Sequence, residues 1–305
     1  MILFAASDKG GTGRSVTTAN LAYRRALRGD DVVYVDFDFG SPTTAAVFDV
    51  PLAQRGVTHA GLHSYLRGDS GEPTRIDVWA HTQHPALRLR PPGSGRLELL
   101  PGDRGGGEFA VDADALRRCA DLLLSLSGEF DLVMVDLSAG RSFALDMVLA
   151  VTSRPELDGL QARWLVYHRW TRQHVMAAAG LVDGDRGIVA AGMRRGHDGE
   201  RLRAAIRFVR AAVPDLDAPP WSQLPPTQSA WMRLCDQTLA ALAAELGVGW
   251  ARVLGCTPLE PVLQCREQLI TDEDVFDSGI VAVQTRQAFE DLAGRLTDAE
   301  AWGRP

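Results

Sequence analysis

Lysine is almost missing from this chain. Of its 305 residues, 32 are Lys or Arg, and 31 of those are arginine, so it does not carry its positive charge on flexible ammonium groups. Cysteine is scarce too. Cys119, Cys235, Cys256 and Cys265 have neither the paired spacing of a metal site nor the density of a disulfide framework, which fits a reducing compartment. No apolar run approaches the roughly 20 residues that span a bilayer, and no secretory leader is read, so the expected location is cytoplasmic. Excess positive charge is also lacking. The formal net charge is −7, which excludes a general attraction to nucleic acid and leaves only a local patch open.

The one lysine is Lys9, inside Ser7-Asp8-Lys9-Gly10-Gly11-Thr12-Gly13-Arg14-Ser15. Chance would put a lone lysine at this point of a glycine loop about one time in three hundred, so position 9 asks for something arginine cannot supply. An ammonium is a compact point charge, whereas a guanidinium is a broad fork, and a crowded phosphate cluster admits the first more readily. The setting agrees. Residues 2–6 are an unbroken apolar run suited to a strand buried on both faces, and residues 15–27 carry Val16, Ala19, Leu21, Ala22 and Ala26 at helical spacing. Between them the glycines free the backbone to turn successive N–H groups inward, toward a phosphate at the positive end of a helix dipole.

Two further apolar runs end in carboxylates. Residues 32–37 lead through Asp36 and Asp38 to Gly40-Ser41-Pro42, and residues 130–136 lead through Asp136 to Ser138-Ala139-Gly140. Aspartates at strand ends often cap helices, but three such strands in this order predict a nucleotide site at their carboxyl ends. Together these segments resemble the ParA/MinD group of P-loop ATPases with a deviant Walker A loop, in which a Lys-Gly-Gly-x-Gly-Lys-Ser motif is followed by switch I and Walker B segments. The resemblance implies an α/β fold, a doubly wound and mostly parallel sheet flanked by helices, of the SIMIBI P-loop type, forming one nucleotide-binding domain over residues 1–305. It implies ATP and Mg²⁺ as cofactors. Nucleotide contacts fall to Lys9, Gly10, Gly11, Thr12, Gly13, Arg14, Ser15 and Val16, with Pro258 near the base. Lys9 would reach the phosphates of a partner subunit's nucleotide, Asp38 would orient the attacking water with Asp36 supporting it, and Ser15, Asp38 and Asp136 would hold the metal. Arg14 replaces the second lysine of the motif and puts hydrolysis in question more than binding. The asparagine usual in the base-contacting strands is not evident.

The remaining chain alternates strand and helix patterns. Helices are expected near residues 56–67, 112–127, 171–182, 200–212 and 227–246, and strands near 96–100, 163–167, 187–193 and 250–255. Residues 73–96 read as irregular crossovers with an edge strand. Residues 213–248, with Pro214, Pro219, Pro220, Pro225 and Pro226, read as a Pro-rich linker plus a helical insertion that is either packed on the core or a lid or docking surface. His59, His63, His81 and His84 lie close in sequence, and His59 and His63 would share a helical face, but no carboxylate or cysteine completes a metal spacing. Arg194, Arg195, Arg201, Arg203, Arg207 and Arg210 form the densest basic segment, either a non-specific DNA patch or a solvated helix face. The acidic C-terminal segment lacks a basic amphipathic helix, which disfavours membrane binding, and no tyrosine cluster suggests the related tyrosine kinases.

Two functional readings stand. One is a nucleotide-dependent dimerisation switch with slow hydrolysis, signalling to an unidentified protein partner. The other is a degenerate scaffold or regulatory subunit that binds nucleotide without turnover. An ATP-dependent ligase on the same fold would need a substrate pocket that no motif announces.

Overall fold

The structure, a computed structural model, describes residues 1–303. The apolar runs become strands: β1 (Ile2–Ala6), β2 (Val32–Phe37), β3 (Ile76–Asp77), β4 (Leu97–Leu100), β5 (Leu132–Leu137), β6 (Ala162–Arg169), β7 (Ile206–Val213) and β8 (Val253–Pro258). They form one eight-stranded sheet in the order β3-β4-β2-β5-β1-β6-β7-β8. All pairings are parallel except that of β3, the short antiparallel edge strand. Every residue of β1, β2 and β5 is buried, because helices cover both faces and each strand must be apolar on both.

Side chains alternate between two cores, as the strand repeat of two requires. Phe4, Val33, Val35, Val133 and Val135 face a core closed by the helices Ala113–Glu129, Phe143–Thr152 and Arg172–Asp183. Leu3, Val32, Tyr34 and Met134 face the opposite core, under helix α1 (Arg14–Leu27) and the helix Val283–Arg295. The central neighbours β2, β5 and β1 therefore bring the ends of three motif strands side by side.

Four expected elements are corrected. Over residues 56–67 only Leu62–Arg67 is helical. The preceding backbone docks on the loop after β4, with Val57 N–H donating to Gly102 O at 2.9 Å and Arg104 N–H to Val57 O at 2.7 Å. His59 thus lies outside the helix that holds His63. Residues 187–193 are not a strand, since Gly187 starts the helix Ile188–Arg194. Residues 200–212 divide into the short helix Gly199–Ala204 and strand β7, whose first six residues are buried. The strand expected at 250–255 begins only at Val253, after the 3-10 turn Trp250–Arg252.

The basic segment is divided between them: Arg207 and Arg210 are buried in β7, while Arg194, Arg195, Arg201 and Arg203 are exposed, the last three within ion-pair distance of Asp146, Asp158 and Asp183. The helix Pro226–Glu245 does form, yet it fully buries only Ala243 and leaves Trp231 and Leu234 exposed. Among the described residues no helix is long and apolar enough to cross a membrane.

Candidate functional site

The loop after β1 turns through Gly11 and Gly13 at φ +70° and +75°, values that only glycine adopts without strain. Gly13 caps α1, and Thr17 N–H donates to its carbonyl at 2.8 Å. Among the described residues no side chain caps this terminus and no acidic residue stands in its first turn, so its N–H groups are available to an anion. A Cβ placed on Gly10 or Gly11 would meet nothing within 4 Å. The loop faces a cleft of about 480 Å³ whose walls include Gly10 to Thr17, Asp38, Thr44, Arg169, Pro258 and Gln264. Lys9 is exposed, and Thr12 is buried. The chemistry fits a phosphorylated ligand: main-chain donors at a helix terminus, with an apolar and polar wall at Pro258 and Gln264 for the rest of it.

Parallel register sets the acidic groups. Asp136 lies beside Ala5 of β1 on one side and Asp36 of β2 on the other. Asp36 accepts from Thr44 N–H at 3.2 Å and Asp38 N–H at 3.3 Å. Burial, then the neighbouring charges of Asp136 and Asp38, pushes its pKa up to about 8. Asp38 is part-exposed, and burial raises it as well, against the opposing effect of Arg14.

Arg14 organises the centre. Its Nε donates to Asp136 Oδ1, its Nη2 to Asp38 Oδ2 at 2.8 Å, its Nη1 to Ser7 Oγ at 3.2 Å, and Nη2 also lies 3.5 Å from Ser15 Oγ. Tyr34 OH donates to the other oxygen of Asp136 at 2.8 Å. Burial alone would lower the pKa of Arg14, but Asp136 and Asp38 raise it, so the guanidinium is a permanent cation.

Nucleotide and metal fit this arrangement differently. The glycine loop suits phosphate. Ser15, Asp38 and Asp136 converge as the motif order implied and offer hard oxygen donors, the type magnesium takes. The expected metal site is nonetheless altered, since the guanidinium of Arg14 bridges both carboxylates and a divalent ion would have to share them with a fixed positive charge. As arranged, these residues do not fit the ion.

Several contributors were missed by sequence reasoning. Arg141 bonds Asp8 at 2.8 Å and Gly180 O at 2.8 Å, while Gly140 N–H donates to Ser7 O at 2.7 Å. The turn after β5 is thereby tied to the phosphate loop. The available signal was the position of Arg141, directly after the switch glycine and opposite in sign to Asp8. Tyr34 and Ser7 gave no local signal, because each meets its partner only across the sheet. Arg169 lies 3.4 Å from Gln264 at the cleft wall. The histidines do not make a metal centre. His63 is buried, with Nε2 3.0 Å from Phe39 O and Nδ1 accepting from Asp103 N–H at 3.0 Å, and among the described residues no group of His, Cys, Asp and Glu is placed to hold a metal.

Comparisons with known proteins place this geometry. A septum site-determining protein MinD from Synechocystis is 31% identical over 141 residues, which cover 46% of this chain and 45% of that protein; the chain thus spans less than half the length of this curated relative. Solved structures match along almost the whole chain. MinD complexed with Mg-ADP from Pyrococcus horikoshii has a TM-score of 0.51 at 19% identity, covering 98% of this chain and 96% of that one. The MinC:MinD cell division complex of Aquifex aeolicus gives 0.59 at 18%, covering 97% and 95%. A plasmid partition protein from Borrelia burgdorferi bound to AMPPNP gives 0.60 at 14%, covering 97% of each. At these identities the structures establish the shared P-loop fold. The family model for the CobQ/CobB/MinD/ParA nucleotide binding domain matches residues 3–253, and the chain belongs to that family.

Proposed function

We propose that the protein is an ATP-dependent dimerisation switch with slow hydrolysis. The observation that carries this reading is the uncapped, open glycine loop at the start of α1, with the only lysine of the chain exposed at its rim. Residues Gly10 to Val16 would hold the phosphates, and Pro258 would border the base. Lys9 would serve the nucleotide of a second copy. Without a triphosphate, two such lysines would confront each other across an interface; with it, each gains a multivalent anion, so assembly follows nucleotide. The turns after Asp38 and Asp136 would carry the state of the site to a protein partner. The whole chain is read as one domain, with residues 213–248 as an appended linker and helix.

The expected outcome is a molar mass, measured by light scattering, that doubles with ATP for the wild type and stays monomeric for Lys9→Ala. A mass indifferent to nucleotide in both would sink the switch. A second reading is a scaffold that binds nucleotide without turnover, and the contact of Arg14 with Asp38 favours it, because a carboxylate held by a guanidinium is less free to orient a water. Phosphate release separates the two. Asp38→Ala lowers it in a slow ATPase and leaves the background unchanged in a scaffold.

A further inference from the structure

We infer that the guanidinium of Arg14 is the resident cation of the Asp38 and Asp136 pair, so that this chain takes up a nucleotide without needing a divalent metal ion. The inference rests on the nucleotide reading given above and specifies its ion requirement. Three features of the site support it.

First, both carboxylates are already engaged. Asp136 gives Oδ1 to Arg14 and Oδ2 to Tyr34, and Asp38 gives Oδ2 to Arg14. Second, the guanidinium is fixed at all three nitrogens, with Ser7 Oγ and Ser15 Oγ completing its partners. Its planar fork can meet two carboxylates at once, which a lysine ammonium on a single stem does less well. Third, the charge cannot be discharged to make room. Lysine loses its proton when its surroundings demand it, whereas arginine keeps its own, so a dication entering here would meet a permanent positive charge. The exchange of lysine for arginine at position 14 therefore changes the role of the site: the side chain turns back onto the acids that would otherwise hold the metal. One net negative charge remains on the trio, and the amides of the loop together with Arg169 at the cleft wall oppose it.

Two measurements test this on the full chain. The first uses the metal alone: Mn²⁺ titrated into ligand-free protein and followed by electron paramagnetic resonance. The wild type should leave the ion free, whereas Arg14→Met and Arg14→Lys, which release the carboxylates, should bind it. Circular dichroism shows whether each variant is folded, and Arg14→Lys, the residue type usual in the family, serves if Arg14→Met does not fold. Wild-type protein that binds Mn²⁺ as tightly as the variants overturns the inference. The second uses ADP and ATP by calorimetry, in Mg²⁺ and in EDTA. Wild-type affinity should differ less than about threefold between the two media, while Arg14→Lys should weaken about tenfold or more in EDTA. A wild type that loses tenfold in EDTA overturns the inference and leaves the nucleotide reading standing. Absence of nucleotide binding in either medium overturns the nucleotide reading, and the Mn²⁺ titration still decides the cation assignment.

Discussion

His168 is a buried titratable side chain whose surroundings oppose its charged form. It is 1% exposed, its ring packs near Trp170 and Phe208, and its Nδ1 lies 3.1 Å from Arg169 O. Its Nε2 has no partner among the described residues. Burial, with Arg210 adding to it, lowers the pKa from 6.5 to about 4. The unfolded chain therefore takes up a proton below pH 6.5 that the native protein refuses until about pH 4. The His168 contribution to stability should be complete above that window and be lost as pH falls through it, by on the order of 3 kcal/mol at its acid end, while Asp36, raised to about 8, contributes with the opposite sign over the same range. The gap in urea midpoint between wild type and His168→Phe, followed from pH 4 to 7, checks this: it should change with pH as His168 titrates, and a pH-independent gap would assign the loss to other groups. Tyr34 makes a second case. Replacing it with Phe leaves one oxygen of a buried carboxylate without its donor, which should cost about 1–3 kcal/mol of folding stability in the same assay.

At the scale of elements, β1, β2 and β5 were legible because strands covered on both faces must be continuously apolar, and the order of their terminal residues pointed to the site. Asp38, Asp136, Arg14 and Ser15 do converge. The arginine bridge did not follow from the motif, since spacing along the chain says nothing about where a long side chain turns. Residues 206–213 were misread for a related reason: charges at Arg201, Arg203, Arg207 and Arg210 imitate a helical face. What hides Arg207 and Arg210 lies far off in sequence, with Arg210 stacked 4.0 Å from the Trp170 ring and 4.3 Å from that of Trp250, and Arg207 set against Trp302. The run 188–193 misled because six apolar residues carry too little periodicity to choose between strand and helix. The link between Asp8 and Arg141 is another contact visible only in three dimensions. Both partners are partly exposed, so the pair should contribute at most about 1 kcal/mol to global stability. Its effect should be local. Arg141→Ala is expected to leave the urea midpoint almost unchanged while accelerating hydrogen exchange at Gly10 to Gly13, and equal exchange in both proteins would mean the two turns are not coupled through it.

Across the whole molecule, the family match ends at residue 253, yet the chain beyond it is built into the site. β8 closes the sheet edge and brings Pro258 to the cleft, and the segment after it clasps the far side of α1. Asn20 receives Ile270 N–H at 2.7 Å and donates to Gln268 O at 3.1 Å. Arg24, 1% exposed, donates to Ile270 O at 2.6 Å and pairs with Asp272 at 3.0 Å and Glu290 at 3.1 Å. Helix α1 is thus held at one end by its C-terminal clasp and presents the phosphate loop at the other. A guanidinium sealed between a helix and a carbonyl is costly to remove, because the carbonyl and part of two carboxylates lose a charged donor. Arg24→Met, which keeps the apolar stem, should therefore destabilise the protein by about 2–3 kcal/mol in urea unfolding. If α1 moves as a rigid body under the clasp, the same variant should also weaken nucleotide affinity at temperatures well below its unfolding midpoint, although Arg24 stands about three helical turns from Gly13. Lower stability with unchanged affinity would show that the loop is positioned by β1 and the turn after β5 alone, and that the C-terminal segment supports the fold without tuning the site.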